Sequence, residues 1–337
     1  MPTSSPTLSV VLATFNGEAF LEKQLESLAQ QTRAPDELIV SDDGSTDRTN
    51  EIVEAFAARV PLPVRHFRNP SAKGFRDNFL GAVREARGDW IAFCDQDDIW
   101  RQDKLERCAV HMATPGVTQI VHQATLIDSN DAPIGPFHQG ILRTCTKDPL
   151  AYDLWSTFWG FSMLVDRRVL GLVGPEQRFV DYIAPRHLIA HDRWAFFLAQ
   201  VLGRTVEIAE PLVAYRQHGR NLYGKSAGGL KGKPTSTLQA ENTVYITATQ
   251  AMVQIVKSLP IQCERDFPAF ERARAIATCE RALAQLRRRG AIYEGSRGLA
   301  PLRSLAMFAS GGYRNVHDGS QRWRSLLRDM AVSVSAR

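Results

Sequence analysis

The chain has no run of roughly 18 uninterrupted apolar residues, so nothing in it reads as a transmembrane helix. Met1 to Pro6 carry no charged side chain and no apolar stretch behind a basic one. That argues against a secretory leader and for a cytoplasmic setting. Cysteine is sparse: Cys94, Cys108, Cys145, Cys263 and Cys279 are scattered, odd in number and free of any CxxC pair. A zinc site or a disulfide framework is therefore not expected, and the thiols read as reduced. No GxGxxG or GxxxxGK[ST] follows a strand-like run, which weakens dehydrogenase and kinase readings. No internal repeat is visible.

What is there suffices for a full core. Apolar residues make up 44% of 337, and that length suggests about two domains. Charge is unevenly placed. Gly224 to Arg337 hold 18 Lys/Arg against 8 Asp/Glu, whereas Met1 to Tyr223 hold 23 against 28. An acidic front half does not suit a nucleic-acid binder. The basic rear suits docking on an anionic membrane surface or on a partner, or homo-oligomerisation. A solvated helical face rich in arginine is the plain alternative.

Strand-like and helix-like patterns alternate. Leu8 to Ala13, Glu37 to Ser41, Val64 to Phe67 and Trp90 to Cys94 read as short buried strands. Between them, Phe20, Leu21, Leu25 and Leu28 recur at helical spacing, Ile52, Val53 and Phe56 share a helix face, and Phe75 to Ala86 make a third helix. A hydroxyl N-cap from the Ser45-Thr46 turn is expected before the second helix. Such alternation predicts an α/β fold with a mostly parallel sheet flanked by helices, whose ligands bind beyond the carboxyl ends of the strands. Three polar clusters fall there: Thr14 to Asn16, Asp42-Asp43, and Asp95-Gln96-Asp97-Asp98. Further on, Thr118 to Asp128 reads as two strands, His191 to Leu202 as a helix and Val206 to Tyr215 as a strand. Gly224 to Ser236 reads as a linker, and Thr237 to Leu259 and Phe270 to Arg289 as helices. The expected division is 1–223 for the α/β domain and 224–337 for a basic helical region.

Three carboxylates within four residues at the end of a strand repel one another unless a cation or hydrogen bonds offset them. Hard oxygen ligands suit Mg²⁺ or Mn²⁺ shared with substrate phosphates. A solvated acidic turn capping the next helix is the alternative.

The order SVVLATFNG, LIVSDDGSTD and GDWIAFCDQDD resembles the inverting family-2 glycosyltransferases of the GT-A fold, over roughly Leu8 to Tyr223. The resemblance implies a Rossmann-like GT-A sheet with a helical C-terminal extension, and a nucleoside-diphosphate sugar as donor. It implies that Asp42 and Asp43 hold the nucleoside, that Thr14 and Asn16 line the same pocket, and that Asp95 lies near ribose and metal. Asp97 becomes the main metal ligand, and Arg76, in the KGFRDN stretch, a partner of the nucleotide. Asp47 reads as a helix cap. Inverting transfer needs one carboxylate to take the acceptor hydroxyl proton. Asp192, in Ala190-His191-Asp192-Arg193-Trp194, matches the family position, with His191 where Glu is frequent. An N-terminal helix charge is the plain reading of the same residue. Tyr215-Arg216-Gln217-His218-Gly219-Arg220-Asn221 resembles the YRQHGxN stretch of the rhamnosyltransferase-like branch. There His218 completes the metal shell or touches the diphosphate, and Arg216 or Arg220 neutralises phosphate charge. Trp159 and Trp194 are candidate acceptor contacts in an aromatic-rich region.

No QxxRW follows the base region, which argues for single additions rather than processive synthesis, and no GxGxRxxP-like loop points to a sugar nucleotidyltransferase. The expectation is transfer of a sugar, plausibly rhamnose from dTDP-rhamnose, to a cell-surface polysaccharide or lipid-linked oligosaccharide. The rival is a catalytically silent glycan-binding or scaffolding module that kept the fold.

Overall fold

A computed structural model describes residues 5–219, 234–295 and 297–331. The first βα units follow the sequence pattern. They are β1 (Leu8–Thr14), α1 (Leu21–Ala29), β2 (Glu37–Asp42), α2 (Thr49–Arg59), β3 (Val64–Arg68), α3 (Phe75–Glu85) and β4 (Trp90–Asp95). β1 and β2 are buried along their whole length, which explains why they read as continuous apolar runs rather than alternating ones. The chain continues through β5 (Ile99–Trp100), α4 (Lys104–Met112), β6 (Val117–Ile127), β7 (Pro133–Phe137), β8 (Cys145–Lys147), β9 (Met163–Asp166) and α5 (Arg167–Gly171). Then come α6 (His191–Leu202), β10 (Arg204–Arg216), α7 (Thr235–Ser258), α8 (Cys263–Asp266), α9 (Arg272–Glu294), α10 (Ala300–Ala309) and α11 (Trp323–Ala331).

One sheet carries the order β3-β2-β1-β4-β9-β6-β10-β5, with β7 on β6 and β8 on β10. β3, β2, β1 and β4 are mutually parallel, and so are β6 and β10; β9 runs antiparallel between the two groups. Two local expectations are corrected. Thr118 to Asp128 is a single strand, β6, because Gln119 and Gln123 stay inside it with their amides bonded to Thr205 Oγ1 and the Ile141 carbonyl, each at 2.6 Å. The second helix has no hydroxyl N-cap; the Asp47 carboxylate takes the Thr49 N–H at 3.0 Å instead. β10 shifts register around Pro211, which cannot donate to the ladder.

α6 is apolar nearly all round and buried to match, with Trp194, Phe196 and Phe197 in the core. That core also takes Met252 and Val256 of α7 and Cys279 and Leu283 of α9. Helices α7 and α9 thus share a core with the α/β part of the chain. Only α10, α11 and the ends of α7 and α9 build a separate small cluster, around Leu238, Tyr293, Met307 and Leu326. Among the described residues no helix is long and apolar enough to cross a membrane.

Candidate active site

Register brings the polar clusters together. Thr14 lies beside Asp42 across β1 and β2, and Ala13 beside Asp95 across β1 and β4. All three clusters therefore sit on one rim, at the carboxyl ends of parallel strands.

The first half of the rim is a hydrogen-bonded scaffold. Asp42 is fully enclosed and accepts from Thr14 Oγ1 (3.1 Å), the Ser45 N–H (2.9 Å), the Ser45 hydroxyl and Asn50 Nδ2 (3.3 Å). Burial pushes its carboxyl up, but these donors together outweigh burial and hold it below the usual range. Asp42 thus fastens the turn after β2. Asp43, almost as buried, takes the N–H groups of Lys73 and Gly74 at 2.8 Å each and Asn69 Nδ2 at 3.1 Å, tying that turn to the start of α3. Asn16 adopts φ 46° and takes the Thr46 N–H at 2.9 Å. Its own N–H donates to Ser45 Oγ at 2.8 Å.

Two residues without a role in the sequence reading complete this scaffold. Asn78, buried on α3, donates to the carbonyls of Ser41 (2.9 Å) and Thr14 (3.4 Å) and accepts from Ser41 Oγ at 2.6 Å. Gln96 exchanges both amide bonds with the Phe15 backbone, at 2.9 and 3.1 Å, and so locks the loop after β1 to the loop after β4. A Cβ at Gly17 would stand 2.3 Å from the Gln96 Oε1 and would push that amide from its place. Asparagine and glutamine amides inside polar loops leave no periodic trace, and only DQDD and KGFRDN as whole motifs pointed to them.

The second half holds the charge. Asp97 Oδ2 meets His218 Nε2 at 2.8 Å, and the His218 ring lies 4.9 Å from Phe20. Asp98 is fully buried; its Oδ1 accepts the Arg216 N–H at 3.0 Å, and its Oδ2 has no partner among the described residues. Burial first, then the charges of Asp97 and Asp95, push the Asp98 carboxyl well above the carboxylate range. Burial, then Asp97 and Asp192, raise Asp95 to about 7. Asp97 and Asp192 thus both act on the Asp95 carboxyl. Lys104 offsets part of the charge from below; buried between Trp100 and the Phe161 carbonyl (2.7 Å), it is lowered by that burial to about 8.

Asp192 opens α6, half-buried, where the helix dipole favours a carboxylate; its Oδ1 takes the Arg193 N–H at 2.8 Å. Beside it His191 stacks on Phe79 at 3.9 Å and is depressed by burial to about 4, so the ring is neutral. Gly160 lets the chain before β9 pass this helix start, since a Cβ there would stand 2.8 Å from His191 Nε2. Asp181, which no sequence signal marked, is fully buried and holds Arg76 (3.1 Å) and Arg193 (2.6 Å). Arg76, expected beside the nucleotide, thus has its guanidinium on Asp181, with Phe75 4.6 Å beneath it.

Two further expectations are corrected. Trp194 is 1% exposed and packs on Phe179 and Phe197, so it belongs to the core and touches no acceptor. Arg216 is 0% exposed; it binds the carbonyls of Asp97 (2.7 Å) and Asp128 (3.0 Å) and pairs with Asp131, so it braces the acidic loop rather than meeting phosphate. Arg220 and Asn221 lie outside the described residues. Trp159 is half-buried, within 6 Å of Phe137 and Tyr215, and leaves part of its ring exposed.

Among the described residues no three His, Cys, Asp or Glu side chains form a self-sufficient metal cage. The donors at Asp97 and His218, with the orphaned Asp98 oxygen beneath them, fit a Mg²⁺ or Mn²⁺ that borrows further ligands from phosphate.

The Glycosyl transferase family 2 pattern matches residues 9–171, a span that contains Asp42, Asp43, Asp95 and Asp97. That matched segment ends before α6. To it α6 and the end of β10 add Asp192 and His218. The chain is similar to the Uncharacterized glycosyltransferase alr2836 of Nostoc sp., 26% identical over 257 residues, 73% of this chain and 74% of that protein. It is also similar to the dTDP-rhamnosyl transferase RfbG of Shigella flexneri, 37% identical over 101 residues. That alignment covers 28% of this chain and spans about a third, 34%, of RfbG. In fold, the chain matches S. aureus TarS 1-349 with a TM-score of 0.56 at 14% identity, over 98% of this chain and 90% of TarS 1-349. TarS 1-349 has been crystallised with UDP and with UDP-GlcNAc. The matched segment thus sits within a GT-A-like sheet flanked by helices, followed by a helical C-terminal region.

Proposed function

We propose that the protein is a non-processive, inverting, metal-assisted glycosyltransferase that takes a nucleoside-diphosphate sugar as donor. The observation carrying this reading is geometric: parallel strands end with Thr14 beside Asp42 and Ala13 beside Asp95, and just past that rim Asp97 meets His218 at 2.8 Å. Burial first, then the charges of Asp97 and Asp192, raise the Asp95 carboxyl to about 7, which supports adding Asp192 to the same site.

Thr14, Asn16, Asp42 and Asp43 shape the nucleoside pocket, with Asp42 acting through the turn that it fastens. Asp95 lies next to the ribose, and Arg76 borders the donor while held by Asp181. Asp97 and His218 would hold the divalent cation, which supplies neutralisation of the charge building on the leaving diphosphate. Asp192 takes the proton of the acceptor hydroxyl as that oxygen bonds to the anomeric carbon and the bond to the diphosphate breaks. Neutral His191 beneath it adds no competing charge, and the exposed part of Trp159 offers an apolar face to an acceptor sugar.

The stretch shared with RfbG, a dTDP-rhamnosyl transferase, supports dTDP-rhamnose as donor; the acceptor in this reading is a cell-surface polysaccharide or lipid-linked oligosaccharide. The test is a panel of nucleotide sugars, assayed for Mn²⁺- or Mg²⁺-dependent hydrolysis and thermal stabilisation with wild type and Asp97→Ala. One donor should be hydrolysed and should stabilise the wild type, with both effects lost in the variant. No turnover with any donor, together with glycan binding unchanged in Asp97→Ala, would favour a silent binding module.

A further inference from the structure

The last two helices turn an apolar face outward. Along α10 and the residue before it, Leu299, Leu302 and Leu305 are 45, 63 and 48% exposed, and Ala306 and Ala309 are exposed with them. Their three- and four-residue spacing makes one stripe, with no charged side chain in it. The opposite face, Ala300, Ser304 and Met307, is buried. α11 repeats the arrangement, with Trp323 and Leu327 56 and 64% exposed and Leu326 and Asp329 buried. Partly buried Phe308 meets Trp323 at 5.1 Å, so α10 and α11 touch beside the two stripes. An exposed apolar surface of this kind marks an interaction site.

Charge tells which kind. Arg324 and Arg328 are exposed on the same side of α11 as Trp323 and Leu327, and Arg314 is exposed in the connection between the helices. The acidic residues of 298–331 are Asp318 and Asp329, and Asp329 is enclosed by Arg289, Tyr293 and Tyr313. Seen from outside, the face is apolar and basic. At 10 residues α10 is about 15 Å long, half of what a spanning helix needs, so it lies along a surface. We propose that α10 and α11 seat the protein on an anionic lipid bilayer. Leu299, Leu302, Leu305 and Trp323 enter the boundary between headgroups and acyl chains, while Arg324 and Arg328 meet the phosphates. A second copy fits less well, because a twofold contact of this face with itself brings Arg324 and Arg328 toward their own counterparts. The proposal does not rest on the reading of the active site, since lipid binding is measured without turnover.

The experiment is co-sedimentation of the full chain with phosphatidylcholine vesicles, with and without about 30% phosphatidylglycerol, at low and high salt. Binding is expected only with phosphatidylglycerol, and it should weaken at high salt. Leu302→Glu with Leu305→Glu should abolish it, and Arg324→Gln with Arg328→Gln should weaken it about thirty-fold. All four side chains are exposed or rim positions, so unchanged melting of the variants is expected; if the leucine pair misfolds, the arginine pair and the salt series still decide. Wild type that ignores phosphatidylglycerol vesicles at low salt overturns the proposal. So does equal binding by the leucine variant, or light scattering that shows a dimer which that variant dissolves.

Discussion

Asp181→Asn should unfold the protein at markedly lower denaturant, although Asp181 touches no expected substrate. The carboxylate is fully enclosed and serves four donors: Arg76 at 3.1 Å, Arg193 at 2.6 Å, and the N–H groups of Ile183 and Ala184 at 2.9 and 3.3 Å. Asparagine keeps the shape and one acceptor oxygen. It also removes the countercharge of two guanidiniums, 14 and 11% exposed, and turns an NH₂ donor toward one of them. Breaking a buried pair in this way costs about 3–5 kcal/mol, a large share of a domain's 5–15 kcal/mol. For a chain of 337 residues that is about 4–7 °C in Tm. Urea unfolding followed by circular dichroism measures it directly. Because Arg193 follows Asp192, kcat should fall as the helix start loosens, while KM for the donor moves less. A loss below about 1 kcal/mol would refute the reasoning, since the two arginines would then be neutralised by something other than Asp181.

Other outcomes follow from the same geometry. Trp194→Ala should cost about 3–5 kcal/mol of stability and leave acceptor KM unchanged in the folded fraction, whereas Trp159→Ala should raise acceptor KM with a smaller stability loss; acceptor titrations on both variants separate them. His191 is held near 4 against an ordinary 6.5, so the unfolded chain binds the extra proton first. Its contribution is intact above pH 6.5 and is lost as pH falls toward 4, by about 3 kcal/mol in all. His191→Phe, which keeps the stack on Phe79, should flatten that part of the stability–pH curve; an unchanged acid slope would count against a neutral ring. Asn78→Ala should cost about 1–3 kcal/mol by removing the acceptor of the buried Ser41 hydroxyl and a donor to the Ser41 carbonyl, and should weaken donor binding measured by calorimetry.

The parallel half of the sheet was legible because β1, β2 and β4 are apolar on both faces and end in motifs of distinct chemistry. Their register then put Thr14, Asp42 and Asp95 side by side. β9 was not legible: it emerges from the aromatic-rich stretch Tyr152 to Asp166, where no period distinguishes strand from packed loop. Long-range contacts hid the rest. Nothing local announces that Asp181 reaches Arg76, 105 residues earlier, or that Arg216 turns inward to the Asp97 carbonyl instead of outward. Trp194 misled because a tryptophan two residues after a candidate base suggests a sugar platform. On a helix that spacing points it away from Asp192 and into the core.

The most direct measurement is sugar transfer by Asp192→Asn, alongside calorimetry of donor binding with divalent metal. The account predicts donor affinity within a few-fold of wild type and turnover down by about 10²–10⁴. Turnover within a few-fold of wild type would contradict it.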